Sequence, residues 1–226
     1  MGYVFQFGVV WEHLPELLAG ALLTLRLSVG AFVLGLLLAV LLTYARGYGS
    51  RAVRGPVVAY IEFMRNTPLL VQLFVLYFSL PAIGVRLGAN QAALLGLALN
   101  FAAYGAEILR GGMQAVPVGQ IEAANALGLR RWRVFRHVVL MPALRVAYPA
   151  LASQFVLMML GSSVVSAISA TDLTAVTNTL QSTTFRGFEF YFVATGIYLA
   201  MALAARAGLD VAYRWLFPPL LRLRSA

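Results

Sequence analysis

Gly119-Gln120-Ile121-Glu122-Ala123-Ala124-Asn125-Ala126-Leu127-Gly128, followed at once by Arg130, Arg131, Arg133 and Arg136, interrupts a chain that is otherwise mostly apolar. The stretch decides the fold through its flanks: long hydrophobic runs lie on either side, and positive charge gathers in the gap. Of 226 residues, 61% are hydrophobic and only 11% are charged, and the apolar runs exceed what a soluble core helix needs. The sequence thus specifies an all-α integral membrane protein.

Crossing roughly 30 Å of hydrocarbon takes about 20 helical residues. Working outward from the quoted stretch, runs of that size bounded by Arg, Gly or Pro predict about five transmembrane helices, at 17–44, 57–80, 91–109, 148–168 and 190–217. The arginine-rich loop 110–145 joins the third to the fourth. With no internal repeat and no low-complexity linker, residues 1–226 read as one membrane domain.

All 17 basic residues are Arg. Arg46, Arg51 and Arg54 follow the first span, Arg110 to Arg145 the third, and Arg214, Arg222 and Arg224 the fifth, whereas the alternate connections carry only Arg86 and Arg186. By the positive-inside bias the N-terminus lies outside and the C-terminus in the cytoplasm. The net charge of +9 is thereby explained by topology, and nucleic acid is not expected as a partner. The first basic residue is Arg26, after Glu12 and Glu16, so no cleavable signal peptide is expected. The absence of cysteine excludes disulfides, thiolate metal sites and thiol nucleophiles, and His13 and His137 stand alone. An enzyme would lack an obvious catalytic set.

Polar residues inside the spans carry the functional options. Glu62 and Arg65 sit one helical turn apart, and an intramembrane charge costs on the order of 3 kcal/mol, so the two should pair or face protein. Asn66, Thr67 and Pro68 follow; Pro68 lacks an N–H and should kink the helix or free carbonyls near Met64. Two readings stand for Glu62, Arg65, Thr67 and Pro68: a structural ion pair at the inner interface, or a gate or hinge in a transport path. Asn100, Tyr104 and Glu107 share one helix face. Gln154, Ser162, Ser163, Ser166 and Ser169 mark the fourth span, either as small residues for close helix packing or, with Asn100 facing Gln154, as part of a substrate path. Arg206, Asp210 and Arg214 recur every four residues and suit interfacial anchoring, with Asp210 able to pair with either arginine. Arg26 is expected to snorkel outward from a first span that begins late. Outside, Ala170 to Thr184 predicts a short helix capped near Thr171 or Asp172, either solvated or a docking surface.

In the quoted stretch, Pro117 suits a helix start, residues 118–127 are good helix formers, and Gly128 accepts the left-handed conformation that ends a helix. So short a helix must pack against something. Its own bundle and a soluble partner both qualify.

Glu122-Ala123-Ala124, three residues, Gly128 and the later Pro142 resemble the EAA loop of membrane subunits of bacterial ABC importers. The wider match is to the polar amino-acid permeases of that group. Thr24-Leu25, Tyr60-Ile61-Glu62-Phe63, Arg65-Asn66-Thr67-Pro68-Leu69-Leu70-Val71-Gln72-Leu73-Phe74, Ala103-Tyr104, Glu107-Ile108 and Arg110-Gly111-Gly112 are similar. The resemblance implies a type I importer permease architecture in the bacterial inner membrane, with a cytoplasmic coupling helix seated on a dimer of ABC ATPases. Glu122 and Gly128 match the coupling role, with Ala123, Ala124 and Leu127 as contact surface. It also implies a second permease copy, identical or related, an extracytoplasmic amino-acid-binding protein, and alternating access. The chain carries no Gly-rich Lys-Ser/Thr phosphate loop, so no cofactor is expected on it; ATP and Mg would be used by the partner ATPase. Two departures stand out. Leu160-Gly161-Ser162-Ser163-Val164 replaces a polar pair followed by Thr-Ser-Leu, and Gly128 to Pro142 is one residue longer than usual. An ion-gradient-driven transporter or channel is the rival; Glu62 and Glu107 both lie too near the inner end to serve as its midplane carboxylates.

Overall fold

The computed structural model describes residues 3–218; Arg222 and Arg224, which the topology argument used, lie outside them. A single turn, α1 (Gly8–Glu12), leads into α2 (Leu14–Tyr48), and α3 (Arg51–Asn66) turns back along it. Helix α4 (Leu69–Phe74) continues through a π-helical segment, Val75–Ser79, and a 3-10 turn, Leu80–Ile83. Then come α5 (Ala89–Met113), the loop helix α6 (Val118–Ala126) and the turn α7 (Arg131–Arg133). A π-helical stretch, Val134–Leu140, feeds α8 (Met141–Gly161), which ends in 3-10 turns, Ser162–Ile168. Finally α9 (Leu173–Thr184) and α10 (Gly187–Leu216) complete the bundle.

Four helical segments are long and apolar enough to cross a membrane alone: Leu14–Tyr48, Ala89–Met113, Arg131–Ile168 and Gly187–Leu216. Arg51–Asn66 and Leu69–Ile83 pass the length and hydropathy requirement of a span only together, and they are bent by 111° across Thr67 and Pro68, so the run expected as one helix at 57–80 is an elbow. Pro68 removes a donor and pushes the preceding residue to an extended backbone, and Thr67 is extended.

The helices outrun the hydropathy boundaries, most of all in the fourth span, which starts at Arg131 instead of 148. The loop expected at 110–145 is correspondingly shorter. Arginine is a good helix former and its long side chain reaches water from inside a helix, so a charge boundary is not a helix boundary. Between Gly128 and Pro142 the helix widens to π at Val134–Leu140. Similarly α2 begins at Leu14 and not late, which leaves Arg26 exposed about 18 Å along its axis.

The core is built on small residues. Helix α5 is enclosed by α2, α3 and α8, and buries Ala92, Ala93, Gly96, Ala98, Ala102, Ala103, Gly105 and Ala106 along with Leu97, Phe101 and Leu109. At Gly112 a Cβ would stand 2.5 Å from the Ala143 carbonyl oxygen, and at Gly35 of α2 one would stand 2.8 Å from that of Ala98. Only glycine lets these backbones approach so closely, the packing mode of helices that gain nothing from burying apolar area against lipid. Phe32 closes the gap with edge-on contacts to Phe101 and Phe155, ring centroids 5.1 Å apart in each case. Hydroxyls inside the bundle return to their own helix: Thr24, Ser28 and Thr43 donate to the carbonyls of Gly20, Thr24 and Ala39 at 3.1, 2.8 and 2.7 Å.

Candidate functional site: a protruding loop helix and a broken span

The loop helix follows its sequence closely. Pro117 caps α6 with an extended backbone, and Gly128 ends it at φ +70. The Gly128 N–H donates to the Asn125 carbonyl at 2.9 Å and the Leu129 N–H to that of Ala124 at 3.3 Å, a Schellman closure that needs the left-handed residue. Ala124, 5% exposed, joins Val116, Val134, Phe135, Val139 and Ala143 in a small core of its own. Beneath it Tyr44 stacks on Tyr48, with Trp132 edge-on to Tyr44 at 5.0 Å, so the loop rests on the C-terminal end of α2. Ala124 thus packs the loop against the bundle. Glu122, Ala123 and Gly128 are exposed, and Leu127 is 80% exposed at the tip with no apolar cover.

At the elbow the main chain is repaired by side chains. Pro68 cannot donate to Met64, and the Met64 carbonyl instead accepts from the Gln72 amide at 2.9 Å and from Asn100 at 3.5 Å. The Arg65 carbonyl accepts from the Tyr104 hydroxyl at 3.4 Å. Asn66 and Thr67 return to the carbonyls of Glu62 and Phe63, each at 2.8 Å. The carbonyl freed at Met64 by Pro68 is thus satisfied by Gln72, which the sequence places in the similar stretch without marking it as a partner. Its signal was in the sequence: one amide in the apolar run that follows Pro68.

The structure rearranges the expected partners. Glu62 does not pair with Arg65; its carboxylate accepts from Asn66 at 3.1 Å. Arg65 lies 5.6 Å from the Tyr104 ring centre and 4.0 Å from Glu107. Side chains three apart on one helix diverge when a better partner waits on the next helix. Asn100 meets Gln72 at 3.0 Å and shares no hydrogen bond with Gln154, half-buried on α8, among the described residues. Ser162 is buried and donates to the Met159 carbonyl at 2.7 Å, while the Ser163 carbonyl accepts from Ser166 at 2.8 Å, so these serines serve their own helix. Asp210 forms no ion pair among the described residues and lines an open recess with Arg206, Tyr148 and Tyr213.

Glu107 gathers three arginines. Arg46 of α2 hydrogen-bonds it, Arg110 reaches it at 2.8 Å, and Arg65 stands just beyond, so one carboxylate holds three helices at the arginine-rich end. Each bond is charge-assisted.

At the opposite end Asp172, fully buried, caps α9 by accepting from the Ala175 N–H at 3.0 Å and from the Tyr198 hydroxyl at 3.3 Å. Burial pushes its carboxyl above the usual range, against the donors that pull it down. Thr24 of α2 accepts from the Leu173 N–H at 3.1 Å beside Gly20, whose missing side chain admits that backbone. The helix expected near Thr171 or Asp172 is thus tied into the bundle. Asp172→Ala should cost about 1–2 kcal/mol through the lost cap, read as a lower melting temperature, with Asp172→Asn recovering most of it.

The geometry is on record in known proteins. The family model described as binding-protein-dependent transport system inner membrane component matches residues 31–218. The octopine transport system permease protein OccM of Rhizobium meliloti is 39% identical over 201 residues, 85% of this chain and 82% of that protein. The glutamine transport system permease protein GlnP of Escherichia coli (strain K12) is 33% identical over 201 residues, 88% of this chain and 92% of that one. Among solved structures, a crystal structure of an amino acid ABC transporter with histidines aligns with a TM-score of 0.84 at 34% identity, over 94% of this chain and all of the other. An inward-facing structure of the MetNI methionine ABC transporter aligns at 0.70 and 21% identity, over 92% and 96%, a likeness of fold.

Proposed function

The chain belongs to the family of binding-protein-dependent transport system inner membrane components, and from that premise we propose how this permease of an amino-acid ABC importer works. It forms one membrane domain over residues 1–226, with the N-terminus outside and the arginine-rich end in the cytoplasm. The observation that carries the proposal is the loop helix: a rigid, Schellman-closed element whose inner face is packed and whose outer face offers Glu122, Ala123, Leu127 and Gly128 to a partner. A dimer of cytoplasmic ABC ATPases seats these residues, burns ATP with Mg, and passes its closure to the spans. Energy for a conformational change must come from a ligand that distinguishes two states, and nucleotide at the ATPase does so.

A second permease copy, identical or related, completes the path, and an extracytoplasmic binding protein delivers a polar amino acid at the end where α9 lies. The path runs by Asn100, Gln154, Ser162 and Ser163, with the elbow of Glu62, Arg65, Thr67 and Pro68 as its hinge. Asn100 and Gln154 are uncharged, which favours neutral or acidic amino acids over cationic ones. Supporting polar amino acids and their derivatives as cargo, two relatives are named for octopine and glutamine transport.

The test is uptake in vesicles carrying the whole complex, with ATP and the membrane gradient controlled separately. Uptake is expected to persist under a protonophore while ATP is held high, and to stop when ATP is removed. Collapse under the protonophore at constant ATP would favour a gradient-driven transporter and overturn the assignment.

A further inference from the structure

We propose that Gln72 is the lock of the broken span: its carboxamide replaces the main-chain bonds lost at Pro68 and fixes the elbow in one of the two states of the transport cycle. This rests on the reading of the elbow as a hinge. Gln72 sits on the first turn of α4 and is 6% exposed. Its amide nitrogen lies 2.9 Å from the Met64 carbonyl, 3.1 Å from the Thr67 carbonyl and 2.8 Å from the Thr67 hydroxyl. That hydroxyl spends its own proton on Phe63, so toward Gln72 it can only accept. Three acceptors converge on two N–H donors, which fixes the orientation of the amide; flipped, its oxygen would face three oxygens. The oxygen instead accepts from Asn100 on α5 at 3.0 Å.

The residue therefore bridges three pieces: the last turn of α3, the first turn of α4, and the most enclosed helix of the bundle. Its bonds to Met64 and Thr67 span the corner of the 111° elbow and exist only near that angle. Beside it lies a surface recess of about 190 Å³, lined by Phe63, Met64, Val71, Val75, Leu76 and Leu99 from both arms and α5. Opening or closing the elbow must break the Gln72 bonds, and their loss leaves the Met64 carbonyl, which Pro68 cannot serve, with only the longer contact from Asn100. An angle held by side-chain donors, and not by the main-chain ladder, is a joint that can be released; a continuous helix would be a rod.

The experiment is pulsed electron resonance on the assembled complex in lipid nanodiscs, with spin labels at Val53 and Ile83, exposed sites on the two arms. Without nucleotide the unmodified elbow should give one narrow distance distribution. Gln72→Leu, and Gln72→Glu, which keeps the size and the acceptor for Asn100 but loses the donors, should move the ratio of elbow states by about tenfold and raise ATP turnover without delivered substrate. In a Pro68→Ala background, where the main-chain donor returns, Gln72→Leu should have a much smaller effect. If either Gln72 variant assembles with an unchanged distance distribution and unchanged turnover, Gln72 is a packing residue and the lock is wrong, even if the melting temperature falls. If both variants fail to assemble, rescue of Gln72→Leu by Pro68→Ala supports the lock, and lack of rescue overturns it. Loss of ATP-driven uptake in the unmodified complex would instead strike the transport assignment.

Discussion

Leu127→Asp is expected to abolish ATP-driven uptake, with the permease still inserted, folded and recovered from the membrane in normal amount. Leu127 is a large apolar side chain with almost no cover at the tip of a rigid loop. Nothing inside the chain benefits from it, and such surface replacements usually change folding stability by no more than about 0.5 kcal/mol. As the anchor of a partner's groove it would carry much of the contact, where truncation of a central apolar residue costs about 2–4 kcal/mol, or roughly 30- to 1000-fold in association. Glu122→Arg should act in the same direction by reversing the one carboxylate on α6. The paired control is Ala124→Asp, which buries a charge among Val116, Phe135 and Val139 and should lower yield and melting temperature instead. Gly128→Val, forced to φ +70, should distort the loop at a cost of about 1–2 kcal/mol. Co-purification of the ATPase and normal uptake in both Leu127→Asp and Glu122→Arg would remove the docking role.

Glu107→Ala should destabilise the bundle at its arginine-rich end. It leaves Arg46, Arg110 and Arg65 facing one another without their shared carboxylate, and breaking a partly buried ion pair by removing one member costs about 3–5 kcal/mol. Side-chain exposure of 13% at Glu107 and 23–44% at the arginines lets water absorb part of this, so about 2 kcal/mol is expected. Glu107→Gln keeps an acceptor without the charge and should fall between. The measurement is thermal unfolding of the solubilised complex at low and high salt. Coupling between Glu107→Gln and Arg46→Gln in a double-mutant cycle identifies the pair; strict additivity would show that the cluster holds nothing together.

The spans and the loop helix were legible in the sequence because each rests on local chemistry. Twenty apolar residues require a helix in lipid, and Pro117 with Gly128 states both ends of α6 before any contact is known. The binding partners of polar side chains were not legible, because a helix face gives direction and not the identity of the neighbour. Asn100 was placed on the correct face with Tyr104 and Glu107, yet its partner is Gln72 of the broken span and not Gln154. Arg65 was paired with Glu62 by spacing, but a helix from elsewhere in the chain supplied Glu107. The elbow itself was half visible: Pro68 announced a disruption, while its 111° angle depends on Gln72 and Asn100 closing the corner. Similarly the start of the fourth span hid behind its arginines, whose charge mimics a loop while their backbone stays helical.

The alanine and glycine lining of α5 reverses the usual arithmetic of mutational tolerance. In most cores the danger is truncation, and residues are ranked by how much volume they have to lose. At its alanines and glycines there is little to remove, and each added methyl at Gly96 or Gly112 must displace a neighbour already 2.5–2.6 Å from where it would stand. A library of random codons across the chain should therefore show an inverted profile at these positions, with enlargements depleted, while reductions on α5 are felt at Leu97, Phe101 and Leu109. Any effort to widen substrate range by directed evolution has to leave that axis alone and draw its variation from the helices around it.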